Sequence, residues 1–172
     1  MVDAYVAMGS NLGDREAHLA AATEALRARP DVRVMAVSAL YETAPVGPPP
    51  QGPYLNAALH LRTQLAPRAL LACLLAIEAA RGRQRSAGRW SARTLDLDLL
   101  FYGSVTLDEP GLCVPHPHLH ERAFVLVPLC DVAPHLVHPR LGKTVEELSR
   151  DVHDPGAVVP FRVGSSSAQN WK

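Results

Sequence analysis

Residues 81–101 read RGRQRSAGRWSARTLDLDLLF. The second half alternates, with Leu95, Leu97 and Leu99 set against Asp96 and Asp98. A period of two belongs to a β-strand, whose successive side chains point to opposite faces. Leu95 to Phe101 is therefore expected as a strand, its leucines in the core and both carboxylates on the other face. The first half has no apolar period and is rich in glycine and arginine, so residues 82–92 are expected as a loop. Arg81, Arg83, Arg85, Arg89 and Arg93 all fall here, with no acidic residue between the first and the last.

Two carboxylates so close repel one another unless a cation stands between them. Mg²⁺, as one ion or two, fits, because it takes one or two carboxylates and leaves its other positions to water and phosphate. Arginine forks onto phosphate oxygens. A triphosphate would thus meet metal on one side and guanidinium on the other, the setting that phosphoryl transfer requires. Each feature alone also fits a plainer role: a solvated strand face for Asp96 and Asp98, a solvated or nucleic-acid-binding loop for the arginines.

Working outward, Arg68 to Ala80 is expected as a helix with Pro67 in its first turn. Tyr54 to Thr63 is expected as a strand burying Leu55, Ala57, Leu59 and Leu61. Residues 43–53 hold five prolines, which forbid helix and sheet interior alike. Val32 to Tyr41 is expected as one strand with Val32, Val34, Ala36 and Ser38 on one face. A helix from about Asp14 to Arg29 buries Leu19, Ala22 and Leu26. Tyr5 to Met8 is a first strand, ending at the turn Gly9-Ser10-Asn11. Beyond the quoted stretch, a short strand is expected around Val105–Leu107 and irregular chain over 109–122. Short helices follow at Ala123–Cys130 and Thr144–Asp151. The order β-α-β, β-α-β gives an α+β class with a mostly antiparallel sheet flanked by helices. Residues 1–163 form a single domain, and 164–172 a polar, serine-rich, flexible tail.

The 172 residues are 48% hydrophobic with zero net charge, enough for one core and no global pull toward nucleic acid or anionic membrane. Cys73, Cys113 and Cys130 form no CxxC pair, which points to a reducing compartment. No apolar run approaches the ~20 residues of a membrane helix, and no signal peptide opens the chain, so a cytoplasmic location is expected. Gly142-Lys143-Thr144 is not a phosphate loop, because Val137 stands where its first glycine is required. His116, His118 and His120 alternate, but no cysteine or carboxylate completes a zinc spacing.

Several ordered blocks resemble the 6-hydroxymethyl-7,8-dihydropterin pyrophosphokinase family. They are Gly9-Ser10-Asn11-Leu12-Gly13, Tyr41-x-Thr43, Tyr54-Leu55-Asn56, the run from Gly82-Arg83 through Arg89-Trp90-x-x-Arg93-Thr94-Leu95-Asp96-Leu97-Asp98-Leu99, Val114-Pro115-His116 and Arg122-x-Phe124. The resemblance spans roughly residues 4–136 and implies a ferredoxin-like core. It also implies transfer of the diphosphate of ATP to the pterin hydroxymethyl group with release of AMP, in folate biosynthesis, by a monomer with no nucleic-acid or membrane partner. Two Mg²⁺ ions would lie between Asp96, Asp98 and the ATP phosphates. Arg83 and Arg93 would act on the phosphates, and Asp98 would take the hydroxyl proton. Glu78, Arg85, His116 and Arg122 would hold ATP, although Leu75, Gly111 and Pro117 depart from the family pattern. Thr43, Val46, Tyr54, Asn56, Trp90 and Phe124 would hold the pterin, with Tyr54 and Phe124 on the ring faces. Residues 43–53 and 82–92 would be lids. The competing reading is an RNA-binding module using the arginine loop; it lacks the aromatic-rich strand such modules present.

Overall fold

The computed structural model describes residues 1–45, 51–83, 93–153 and 157–162. Its elements are β1 (Val2–Ser10), α1 (Arg15–Arg27), β2 (Val32–Val37), β3 (Tyr41–Thr43), β4 (Tyr54–Thr63), α2 (Pro67–Ala80), β5 (Asp96–Tyr102), β6 (Leu107–Glu109), β7 (Leu112–Val114), a 3₁₀ turn at Leu119–Glu121, α3 (Ala123–Val132), α4 (Val145–Asp151) and β8 (Val158–Pro160). The main sheet runs β5-β1-β4, with β2 and β3 both on the far edge of β4 and β8 beyond β3. Every pair in it is antiparallel. The two β-α-β halves interleave as β5-β1-β4-β2, the ferredoxin-like order.

Local chemistry sets the helix limits. Asp14 caps α1 by accepting the Ala17 amide at 3.0 Å, and Pro67 opens α2. Thr144 and Glu147 close a capping box at α4. On one face of the sheet, Leu19, Ala22 and Leu26 of α1 and Leu70 and Leu74 of α2 pack on Leu55, Leu59, Leu61, Leu95, Leu97 and Leu99. On the other, Val125, Leu126 and Leu129 of α3 and Leu148 of α4 pack on Tyr5, Ala58, Leu100 and Phe101.

Three expectations change. The strand expected over Val32–Tyr41 is two strands. A bulge between Val34 and Ala36 shifts the phase, so Val37 rather than Ala36 joins Val32 and Val34 against the core. Ser38 then ends the pairing by turning its hydroxyl to the backbone, accepting the Ala58 amide at 2.8 Å and donating to the Ala39 carbonyl at 2.7 Å. The strand expected at Val105–Leu107 begins at Leu107 and forms a hairpin with Leu112–Val114. Gly111, at φ 75°, makes its turn within the stretch expected to be irregular. Finally, β8 adds to β3; two valines before a proline carry too little period to announce a strand. The expected tail, 164–172, lies outside the described residues, as do most of the arginine loop (84–92) and 46–50 of the proline loop.

Candidate active site

The alternation in β5 holds. Leu95, Leu97 and Leu99 are buried on the helix α1/α2 side, while Asp96 and Asp98 line a cavity of about 270 Å³ at the α3 side. The register places Gly9 opposite Asp96 and Ala7 opposite Asp98 on β1, and Asn56 of β4 opposite Gly9. Gly9 keeps this wall thin. A Cβ there would stand 3.4 Å from Asn56 Oδ1 and 3.8 Å from the Tyr54 ring. Thr43, Gln51, Tyr54, Arg93, Arg122, Phe124 and Val125 also line it, with Met8 and Ala44.

The cavity has two chemically distinct ends. At one, Asn56 Nδ2 donates to Thr43 Oγ1 at 2.8 Å, with both side chains buried, beside the rings of Tyr54 and Phe124. Such flat faces and a few fixed polar groups suit a planar heteroaromatic ligand. At the other, Asp96 accepts from two arginines. Arg83 Nη1 donates to its Oδ1 at 2.5 Å, and Arg93 Nη1 to its Oδ2. Arg122 stands over Phe124, 5.8 Å from the ring centroid, and bridges the two ends.

Beneath this floor, Glu78 of α2 accepts from Arg83 and, at 2.7 Å, from the Leu97 amide. Glu78 was expected to contact ATP. At 1% exposure its carboxylate holds Arg83 and β5 from beneath the cavity. Arg83 likewise stands under Asp96 and off the cavity wall, with 12% of its side chain exposed. His116 lies outside the lining. Its amide donates to the Leu100 carbonyl, and its Nδ1 accepts from the His118 amide at 3.3 Å. Val46, Arg85 and Trp90, also expected in the site, lie outside the described residues.

Asn11 and Gln51 were not foreseen. Asn11 Oδ1 accepts the Arg93 amide at 2.7 Å, and its own amide donates to the Arg93 carbonyl at 3.0 Å. Its Nδ2 donates to Gln51 Oε1 at 3.2 Å. Asn11 thus ties the turn after β1 to the start of β5 and to the cavity rim. Its only sequence signal is a short polar residue in a glycine-bounded turn, which is how backbone-bonding asparagines occur.

Burial pushes the Asp98 carboxyl up to about 6, with the charge of Asp96 adding to the rise and Arg122 opposing it. A cation between the two aspartates would offset their repulsion and favour the charged form of Asp98. The donors are hard carboxylate oxygens, which fit Mg²⁺. Among the described residues no group of three or more His, Cys, Asp or Glu could hold a metal.

Burial, then Arg122 and His118, lowers the His116 ring from 6.5 to about 4. The folded chain therefore refuses a proton that the unfolded chain accepts, and this group costs stability as pH falls from 6.5 toward 4. Asp98 acts in the opposite sense below about 6, since its folded form binds the proton more readily. The difference between the parent and His116→Gln isolates the histidine. In urea titrations the parent is expected to lose more stability than the variant between those pH values, and equal losses would remove the assignment.

Fold and cavity together define a ferredoxin-like domain that can set a polyphosphate against a flat heteroaromatic ring. The family model of 7,8-dihydro-6-hydroxymethylpterin-pyrophosphokinase (HPPK) matches residues 5–134, and the chain belongs to that family. A protein of Methylorubrum extorquens named 2-amino-4-hydroxy-6-hydroxymethyldihydropteridine pyrophosphokinase is 48% identical over 158 residues, covering 92% of this chain and 98% of its own length. A protein of the same name from Pseudomonas aeruginosa is 48% identical over 144 residues, covering 84% and 88%. Among solved structures, an HPPK-DHPS in complex with substrates superposes with a TM-score of 0.68 at 13% identity. It covers 87% of this chain and 43% of its own. Wild-type Plasmodium falciparum HPPK-DHPS with SDX-DHP gives 0.67 at 14% identity, covering 87% and 44%. The chain therefore spans less than half the length of those structures, and at such identity they speak for the fold alone. No helix among the described residues is long and apolar enough to cross a membrane.

Proposed function

We propose that this chain transfers the diphosphate of ATP to the hydroxymethyl group of 6-hydroxymethyl-7,8-dihydropterin, releasing AMP, as a step of folate biosynthesis. The observation that carries it is the single cavity joining Asp96, Asp98 and Arg93 to Thr43, Tyr54, Asn56 and Phe124. Thr43 and Asn56 hold the polar edge of the pterin, and Tyr54 and Phe124 its faces. That positioning presents the hydroxymethyl oxygen to the acidic end. The oxygen attacks the β-phosphorus of ATP, its proton goes to Asp98, and the bond to the bridging oxygen of AMP breaks. Arg93, on the cavity wall, takes the phosphate charge; Arg83 keeps Asp96 oriented from below. Asp96 and Asp98 would hold two Mg²⁺ ions, which when bound neutralise charge on the phosphate oxygens. Residues 1–163 act as one catalytic domain, in a cytoplasmic monomer.

The test is incubation with ATP, Mg²⁺ and the pterin alcohol, with AMP and ADP measured separately. The expected result is AMP formed in step with pterin diphosphate. ADP alone would mean single-phosphate transfer or hydrolysis and would overturn the reading. Omitting Mg²⁺ is expected to abolish turnover.

A further inference from the structure

We infer that Arg15 is a positioning residue for the pterin end of the cavity, acting from the opposite face of the sheet; the inference rests on the function proposed above. Arg15 opens α1, and its guanidinium reaches three other segments. Nη1 donates to the Pro53 carbonyl at 2.7 Å, and Nη2 pairs with Glu42 Oε2 at 2.8 Å. Its Cζ stands 5.6 Å from the centroid of the Phe161 ring.

The two acceptors are placed with consequence. Glu42 immediately precedes Thr43, and Pro53 immediately precedes Tyr54. Thr43 and Tyr54 are partners across the β3–β4 ladder, and both line the cavity. Asn56 joins them through its bond to Thr43. One planar cation therefore spans the two strand ends from which the hydroxyl, the phenol and, indirectly, the amide project. Side chains alternate along a strand, so Glu42 leaves β3 on the face opposite Thr43. Arg15 is absent from the cavity lining, so it acts through its neighbours.

Phe161 holds the brace flat. Its amide donates to the Leu40 carbonyl at 2.8 Å, and its ring packs on the α1-side core. The preceding strand β8 pairs with all three residues of β3, Val158 opposite Thr43 and Val159 opposite Glu42. The Arg15 side chain is 22% exposed and that of Glu42 37%. A lysine has a single point charge on a flexible stem and cannot serve a carbonyl and a carboxylate in one plane while stacking on a ring.

Steady-state AMP formation tests this, with each substrate varied while the other saturates, for the full chain and for Arg15→Ala, Arg15→Lys and Phe161→Ala. Arg15→Ala is expected to raise KM for the pterin about tenfold while changing KM for ATP and kcat less than about twofold, because only the geometry of the pterin end is lost. Arg15→Lys is expected to recover only part of that loss. Phe161→Ala is expected to raise the pterin KM about threefold, and to add nothing further in the Arg15→Ala background, since both act through one brace. An unchanged pterin KM in Arg15→Ala would overturn the inference. So would an equal rise in both KM values, which marks general loosening. If Arg15→Ala does not fold, Arg15→Lys carries the same comparison. An unsubstituted chain that makes no pterin-dependent AMP overturns the proposed function and this inference with it; an active one with an indifferent Arg15 overturns the brace alone.

Discussion

Asp98→Ala is expected to lower AMP formation by roughly 10³-fold, the range over which a positioned proton acceptor acts, while leaving the fold intact. The geometry separates the two effects. Leu97 and Leu99, on either side of Asp98, are buried in the core and keep β5 in register, so the strand does not depend on the carboxylate. Nor does stability. The folded carboxyl is raised from 3.8 to about 6, chiefly by burial and then by Asp96. Its charged form is thus disfavoured in the folded state, and the group costs stability above pH 6, a cost relieved as pH falls toward 3.8. Removing it at neutral pH is expected to leave urea unfolding unchanged or shifted to higher urea. Asp98→Asn keeps the shape but can neither accept the proton nor donate to a cation as a carboxylate, so it is expected to be as inactive as the alanine. Activity of Asp98→Asn within tenfold of the parent would remove Asp98 from both roles.

Glu78→Ala is expected to cost about 3 kcal/mol, the lower end of what breaking a buried ion pair costs. Glu78 is 1% exposed and receives both Arg83 and the Leu97 amide. Its loss removes one of the two carboxylates that Arg83 pairs with and leaves the Leu97 N–H of the edge strand β5 without its acceptor. Glu78→Gln keeps an acceptor for Leu97 and is expected to lose less. The measurement is the urea midpoint of the three proteins at neutral pH. A midpoint for Glu78→Ala equal to that of the parent would show that the network contributes nothing. Because Arg83 also holds Asp96, the same substitution is expected to slow turnover beyond what the folded fraction explains.

These two residues mark the boundary between local and long-range information. The alternation of Leu95, Leu97 and Leu99 with Asp96 and Asp98 could be read from order alone, because a strand repeats every two residues whatever it pairs with. The same holds for α1 after Asp14, α2 after Pro67 and α4 after Thr144, where a cap or a proline acts on its own few neighbours. Eight residues expected in the site, Thr43, Tyr54, Asn56, Arg93, Asp96, Asp98, Arg122 and Phe124, line one cavity; apart from the Asp96 and Asp98 pair, that gathering was drawn from family resemblance, not from periodicity.

The partners chosen across distance had no such signal. Glu78 lies nineteen residues from Leu97, and Asn11 eighty-two from Arg93. Each bond exists only because α2 lies under β5, and the turn after β1 beside its start. The bulge before Ala36 and the addition of β8 to β3 depend in the same way on the neighbouring strand. Periodicity records how a segment lies along its own axis. Which buried carboxylate meets which arginine is settled when the sheet closes, since only then does losing water make an unpaired charge costly enough to select its partner.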